Sequence, residues 1–366
     1  MLKIIISGGG TGGHIFPALA IANAIKELRP DTEFLFVGAN GRMEMEKVPA
    51  AGFNIKGLDI AGINRSSILK NISFPFKLWK SLNDAKQIVK LFKPDIAIGV
   101  GGYASGPLLW AAQKQKIPTV IQEQNSYPGI TNKLLSKKVK QIFVAYSGLE
   151  KYFPKEKIKL TGNPVRADIL NLEGKREKGI VYFKLDKNKK TVFVTGGSLG
   201  ARKINQSIKN CLQLFRENNV QLIWQTGKLF FSEASQAAKE IGYDGVQVFE
   251  FIKEMDLAYA VADVVVSRAG AGAISELCIV GKASILVPLP TAAEDHQTHN
   301  AMSLVDKNAA LLVRDSEAIE QLPKSIFELL INSQKQNEIE TNAKQLGLPN
   351  SAKTIADDII KLIVKN

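Results

Sequence analysis

The sequence predicts an α/β protein made of two tandem, doubly wound, Rossmann-like domains. Strand-like apolar runs alternate with helix-like ones along the whole chain. The runs fall into two series, each opening with a strand, a glycine-rich turn and a helix. The 366 residues, 45% of them hydrophobic, suffice for two cores of ordinary size.

In chain order, LKIII at residues 2–6, EFLFVG (33–38), DIAIGVG (95–101), TVIQE (119–123) and QIFVAY (141–146) read as buried parallel strands of one sheet. A second series runs through TVFVTGG (191–197), VQLIWQTG (220–227), VQVFEF (246–251), VADVVVSRAG (261–270), ASILVPLP (283–290) and AALLVR (309–314). TGNPVRADIL (161–170) is the expected hinge. The closing segment 351–364 has apolar positions at Ala352, Ile355, Ile359, Ile360 and Ile363, a helical spacing. Domains are therefore expected at 1–164 and 165–346, followed by a C-terminal helical segment, 347–366. In such pairs ligands bind in the crevice between the carboxyl ends of the two sheets.

A signal peptide is not expected, because the short apolar start runs straight into the glycine turn. The charge-free stretch 96–113 contains Gly99, Gly101, Gly102, Gly106 and Pro107, which argues against a spanning helix. Cys211 and Cys278 have no metal-ligand spacing, so a reduced, cytoplasmic protein is the default. Net charge is +13 and one-sided. Residues 1–165 carry 23 Lys+Arg against 11 Asp+Glu, whereas 166–366 carry 25 against 24. A basic first half fits nucleic acid or an anionic membrane surface; without aromatic interleaving or a binding module, nucleic acid is disfavoured.

The first glycine turn lies in SGGGTGGHIFPALAIANAI (7–25), where Gly8, Gly10 and Gly13 spell G-x-G-x-x-G. A dinucleotide fingerprint needs an acid about 20 positions on, at the end of the second strand. Here that strand ends in Val37, Gly38, Ala39 and Asn40, without a carboxylate, and His14 stands where a Walker loop needs lysine. The second turn is GVGGYASGP (99–107) and the third TGGSLGAR (195–202). All three place backbone N–H groups at a helix start, where an anion is favoured, so more than one phosphate-bearing ligand is expected. In SRAGAGAISEL (267–277), small residues lead into a helix expected to carry Ser275 and Glu276 in its first turn. The carboxylate there either accepts two hydrogen bonds from a ribose diol or complements the helix dipole. AAEDHQTHNA (292–301) places Gln297 and Asn300 at i, i+3, either for sugar hydroxyls or as a solvated face.

Taken together, these stretches resemble the MurG family of bacterial peptidoglycan glycosyltransferases. GGGTGGHIFPALA, GVGGYASGP, IQEQNSYPGITNK, GNPVR, GGSLGAR, the FI of Phe251 and Ile252, SRAGAGAISEL and DHQTHNA occur in the family's order between residues 8 and 301. Leu199 stands where the family's third turn commonly has glutamine (GGSQGA), which bears on side-chain contacts there and not on backbone donors. The resemblance implies the two-domain GT-B fold with the donor in the C-terminal domain. It also implies inverting transfer of N-acetylglucosamine from UDP to the muramyl hydroxyl of undecaprenyl-pyrophosphoryl-N-acetylmuramyl-pentapeptide. Carried over by position, Ser198 holds a donor phosphate and Arg166 lies in the donor site. Ile252 pairs with uracil through its backbone, Glu276 takes the ribose, and Gln297 and Asn300 face the sugar. Ala271, Gly272, Ala273, Ile274, Ser275 and Glu276 line the donor turn with backbone donors. Thr11, Gly12, Gly13 and Asn125 reach the same sugar nucleotide from the N-terminal side. The first turn, through Gly10, and the second, through Gly102 and Tyr103, then serve the acceptor and its pyrophosphate.

No cofactor or metal is expected, because the sequence has no Asp-x-Asp; helix N-termini and Arg166 supply the positive potential. For the base, His14 has an ordinary pKa of about 6.5, held down by a helix N-terminus. Its alternative role is to cap or contact an anion. Glu123 is the rival base, or an orienting carboxylate. Residues 63–93 carry seven Lys+Arg against Asp84. There Leu78, Leu82, Ala85, Val89 and Phe92 are expected to face the core. Phe74, Phe76 and Trp79, beside Lys77 and Lys80, are expected to form a cation-ringed apolar tip ahead of that buried face, docking peripherally on the cytoplasmic side of an anionic membrane. Two alternatives remain: the same fold acting on another lipid such as diacylglycerol, or a UDP-sugar 2-epimerase.

Overall fold

A computed structural model of the chain describes residues 1–60 and 74–364. The chain divides into two compact units, Met1–Val165 with Pro349–Asn366 and Arg166–Leu348. Among the described residues the first unit contains β1 (Lys3–Ser7), β2 (Glu33–Ala39), β3 (Asn54–Leu58), β4 (Ile96–Gly99), β5 (Thr119–Glu123), β6 (Gln141–Val144) and β7 (Ile158–Leu160). All pair in parallel, in the order β3-β2-β1-β4-β5-β6-β7. The second contains β8 (Thr191–Thr195), β9 (Gln221–Gln225), β10 (Val246–Phe249), β11 (Val264–Ser267), β12 (Ser284–Leu286) and β13 (Leu311–Leu312), parallel in the order β10-β9-β8-β11-β12-β13.

Strands buried on both faces explain the continuous apolar runs. In β1, Ile4 and Ile6 join Ile15, Leu19 and Ala22 of the helix Gly12–Leu28 on one side of the sheet. Ile5 faces the other side, with Ala85, Val89, Leu108 and Leu109. The second sheet packs Val192, Val194 and Trp224 against Ile204, Ile208, Phe215 and Leu322. The helix Ser351–Val364 returns to the first unit and adds Ile355, Ala356 and Ile359 to the cluster around Gly12–Leu28. The Ser351 hydroxyl donates to the Gly162 carbonyl at 2.9 Å, and Lys159 pairs with Asp358.

The sheet order reverses between β1 and β4 in one unit and between β8 and β11 in the other, which is where open α/β sheets bind ligands. The glycine turns leave these four strands. Those at 8–13 and 100–106 follow β1 and β4; those at 196–201 and 268–270 follow β8 and β11.

Three expectations change. β3 and β7 are additional strands at the two edges of the first sheet; NIKGL and IKL are half-solvated and lack the apolar run of a central strand. The helix expected to carry Glu276 in its first turn starts at Ala271, since Gly270 keeps extended backbone angles while Ala271 and Ala273 favour helix. Glu276 therefore lies in the second turn and is not a dipole-complementing first-turn acid. The expected core face of the helix Phe74–Phe92 is only partly realised: Ala85 and Val89 are buried, while Leu78, Leu82 and Phe92 are half-buried, and Phe74 and Phe76 lie on the same helix ahead of that face. Lys70 lies outside the described residues. Burial pushes the thiols of Cys211 and Cys278 up to about 12, which leaves them packing groups rather than nucleophiles.

Candidate active site

In the first unit, Thr11 caps the helix Gly12–Leu28 in extended conformation, and its hydroxyl makes no capping bond. Gly12 and Gly13 open the helix and His14 follows, its amide donating to the Thr11 carbonyl. The imidazole is half-buried and oriented by Gln124. The Gln124 Nε2 donates to the carbonyls of Val100 (2.7 Å) and Gln122 (3.2 Å) and to the Gln122 side-chain oxygen. That turns its Oε1 toward His14 Nδ1 at 2.8 Å. An amide oxygen can only accept, so Nδ1 carries the proton and Nε2 is the basic nitrogen of the neutral ring. Gln122 and Asn163 brace Gln124: Gln122 Nε2 donates to Asn163 Oδ1, and Asn163 Nδ2 to the Gln124 carbonyl. A Cβ at Gly101 (φ +99°) would lie 2.6 Å from His14 Nδ1, so this position admits glycine for space as well as backbone angle.

Packing bears on two residues expected on the acceptor side. The Gly10 amide already donates to Glu44 Oε2 at 2.8 Å. Gly102 abuts the backbone of Gly9, whose amide donates to the Gly101 carbonyl at 3.3 Å, so the two turns pack together there. Tyr103 is exposed beside them.

Glu123 is buried at the end of β5. Its Oε1 accepts from the Asn125 amide (3.1 Å) and Asn125 Nδ2 (3.3 Å), and its Oε2 from the Gly129 amide (3.2 Å) and Asn132 Nδ2 (2.8 Å). Burial raises its pKa, and these four donors oppose the rise. Both oxygens are committed to shaping the 125–132 loop, the arrangement of an orienting carboxylate. It also sets the side-chain amide of Asn125.

In the second unit, Glu276 is the centre of a triad that the sequence does not announce. Arg166 Nε lies 3.4 Å from Oε1, and the buried Tyr259 hydroxyl donates to Oε2 at 3.0 Å. Burial pushes the Glu276 carboxyl up, opposed by the Arg166 charge and then by the Tyr259 hydrogen bond. Tyr259 itself titrates well above its usual range, from burial and then from the neighbouring carboxylate, so it remains a donor. Of the donor turn, Ala271, Gly272 and Ala273 have first-turn amides outside the helical ladder. Ile274 is corrected: its amide donates to the Gly270 carbonyl and its side chain is in the core. The Ser275 amide falls within the ladder, and its hydroxyl donates to the Ala271 carbonyl at 2.9 Å.

Ser198 is exposed in the third turn, next to an 80% exposed Leu199. Gln225, at the end of β9, holds that turn; Nε2 donates to Thr195 Oγ1 (3.0 Å) and the Gly197 carbonyl (3.1 Å). Its Oε1 accepts from the Ile252 amide at 2.8 Å. The Ile252 N–H is thus spent internally. Gln297 and Asn300 do not share a solvated face. Gln297 is half-buried and accepts from the Leu289 amide at 2.9 Å, whereas Asn300 is fully buried and directs Nδ2 at the Ala269 carbonyl. Asn300 thereby braces the turn after β11. Arg268 reinforces the same region through Asp315 at 2.6 Å and the carbonyls of Val287 and Pro288. Gln124, Gln225, Tyr259 and Glu44 were not singled out from sequence. A polar residue at a strand's carboxyl end marks Gln124 and Gln225; nothing local marks the other two.

Two parallel sheets of this order, each with glycine turns at its reversal point, are the two halves of the GT-B fold. Residues 4–144 match the glycosyltransferase family 28 N-terminal domain, and residues 191–359 the family 28 C-terminal domain. A Flavobacterium psychrophilum protein named UDP-N-acetylglucosamine--N-acetylmuramyl-(pentapeptide) pyrophosphoryl-undecaprenol N-acetylglucosamine transferase is 55% identical, over 99% of this chain and 98% of its own. The crystal structure of Acinetobacter baumannii MurG aligns with a TM-score of 0.80 at 29% identity, covering 99% of this chain and 100% of that one. A Neisseria meningitidis UDP-GlcNAc 2-epimerase, at 16% identity and a TM-score of 0.66 over 99% of this chain and 100% of its own, shares the fold. The chain belongs to glycosyltransferase family 28, within its MurG group.

Proposed function

We propose that this enzyme transfers N-acetylglucosamine from UDP-N-acetylglucosamine to the muramyl 4-hydroxyl of undecaprenyl-pyrophosphoryl-N-acetylmuramyl-pentapeptide. The observation that carries the proposal is 55% identity over 99% of the chain with a transferase of that name. In the proposed mechanism His14 Nε2 takes the acceptor hydroxyl's proton, with the ring held by Gln124. The acceptor oxygen attacks the anomeric carbon as the bond to UDP breaks, and UDP leaves with the electron pair, inverting the centre. Arg166, Ser198 and the amides of Ala271, Gly272 and Ala273 stabilise the departing diphosphate. Glu276 accepts from the ribose diol, and Gln297 faces the sugar.

The acceptor's lipid keeps its tail in a bilayer, and the helix Phe74–Phe92 has the chemistry to dock there. Phe76 (66% exposed) and Trp79 (63%) stand side by side with ring centroids 6.3 Å apart, next to Lys77 and Lys80. Among the described residues no helix is long and apolar enough to cross a membrane. We therefore propose peripheral attachment to anionic lipid.

Incubation with radiolabelled UDP-N-acetylglucosamine and a short-chain acceptor analogue is expected to yield labelled lipid-linked disaccharide, with EDTA having little effect. Release of free monosaccharide without acceptor would indicate an epimerase. Loss of activity in EDTA restored by manganese would overturn the metal-free mechanism.

A further inference from the structure

Glu44 opens the short helix Glu44–Ala50 and is 1% exposed. Its carboxylate bridges the ends of two neighbouring strands. Oε2 accepts from the Gly10 amide after β1 at 2.8 Å, and Oε1 from the Ala39 amide at the end of β2 at 3.0 Å. A Cβ at Gly9 would lie 2.2 Å from Oε1, so the carboxylate fills the space directly over the glycine turn. Among the described residues no cation lies within salt-bridge distance of it. Backbone amides are its partners, as they are for a phosphate bound in a glycine turn. Dinucleotide folds use this corner differently: the turn binds pyrophosphate, and an acid ending β2 takes a ribose. Here the acid comes from the following helix and takes the turn's own amide.

We propose that Glu44 is the resident anion of the first glycine turn, a positioning residue that fixes residues 8–11 and hence the delivery of Thr11 and His14. A carboxylate bonded to the Gly10 amide both satisfies that donor and repels a phosphate approaching it. The first unit is thereby closed to a nucleotide at the place where its fold would otherwise accept one.

The test uses the full chain with Glu44→Ala and Glu44→Gln, and formate or acetate as a replacement anion. The activity arm rests on the transfer reaction proposed above; the amide-exchange arm does not, so the two can fail separately. Glu44→Ala is expected to lower kcat about 100-fold, the scale of a catalytic group misplaced by an ångström, with the KM for UDP-N-acetylglucosamine unchanged. Glu44→Gln, which keeps a side-chain acceptor for one of the amides, should retain most of the rate. Hydrogen exchange at Gly10 and Ala39 should accelerate in Glu44→Ala, and formate should slow it again and restore turnover. Normal kcat and unchanged Gly10 exchange in Glu44→Ala would overturn the proposal. So would a loss that neither formate nor Glu44→Gln relieves and that raises the donor KM equally, because that pattern reports general destabilisation.

Discussion

The turns after β1 and β8 occupy equivalent places in two sheets of the same order, yet they are held by opposite chemistry. The first is held by a carboxylate, Glu44, and packs against the second turn through Gly9 and Gly101. The third is held by a neutral amide, Gln225, which leaves Ser198 exposed. An anion bound beside Glu44 meets a like charge, whereas one beside Gln225 does not. Topology therefore makes both turns candidates for phosphate, and under the proposal for Glu44 the holding side chain is what decides which half takes the nucleotide. The partners of the acids follow the same division. Arg166 and Tyr259 poise Glu276, while Glu123 and Glu44 are spent on loop amides.

The change expected to separate the halves most is at His14. His14→Ala should lower kcat about 10²–10⁴-fold while UDP affinity stays near normal in a titration. Glu123→Gln should instead lower thermal stability, through loops that lose a carboxylate acceptor. A His14 variant with normal turnover would make that residue a cap and move the chemistry out of the first half. Next is Glu276→Ala, which removes charged acceptors worth about 1.5–3 kcal/mol and should raise the donor KM on the order of 10–100-fold with the acceptor KM unchanged. An unaltered donor constant in a folded variant would remove the ribose from Glu276.

The charge asymmetry of the halves is tested by vesicle co-sedimentation. Lys77→Glu with Lys80→Glu should weaken binding to anionic vesicles by about 1 kcal/mol per site, with soluble-acceptor turnover preserved. Lys80 also pairs with Asp59 at 3.7 Å, so its reversal sets two acids together. Binding that ignores both the charge reversal and added salt would place the membrane face elsewhere. The smallest effect is expected from Tyr259→Phe. It leaves Arg166 on Glu276 and removes one hydrogen bond, about 0.5–1.5 kcal/mol, read as a donor KM raised several-fold with kcat unchanged. An equal fall in kcat would mean that Tyr259 acts beyond the ribose.

The two sheets were legible in the chain because a central parallel strand is buried on both faces. KIIIS, TVIQE and VVVS announce themselves by apolar continuity. The glycine turns were legible because a strand running into a helix through close-packed backbone demands those residues, and the resemblance to the MurG family followed from the order of these turns and their flanking motifs. The edge strands were not legible, since NIKGL and IKL alternate with solvent-facing positions.

Side-chain roles divide on the same physical ground. The sequence singled out His14 and Glu276 from their own chemistry and position after a glycine turn, and Arg166 through the family resemblance. It could not show that Glu123 and Asn300 are braces, that the Gly10 and Ile252 amides are already spent, or that Glu44, Gln124, Gln225 and Tyr259 hold the site. Most of those facts join groups far apart in the chain, from 17 positions for Tyr259–Glu276 to 110 for His14–Gln124. A hydrogen-bond partner at such separation is chosen by which strand ends the sheet order sets side by side, and burial decides whether the group has any other partner to choose. Only the tertiary structure contains either piece of information.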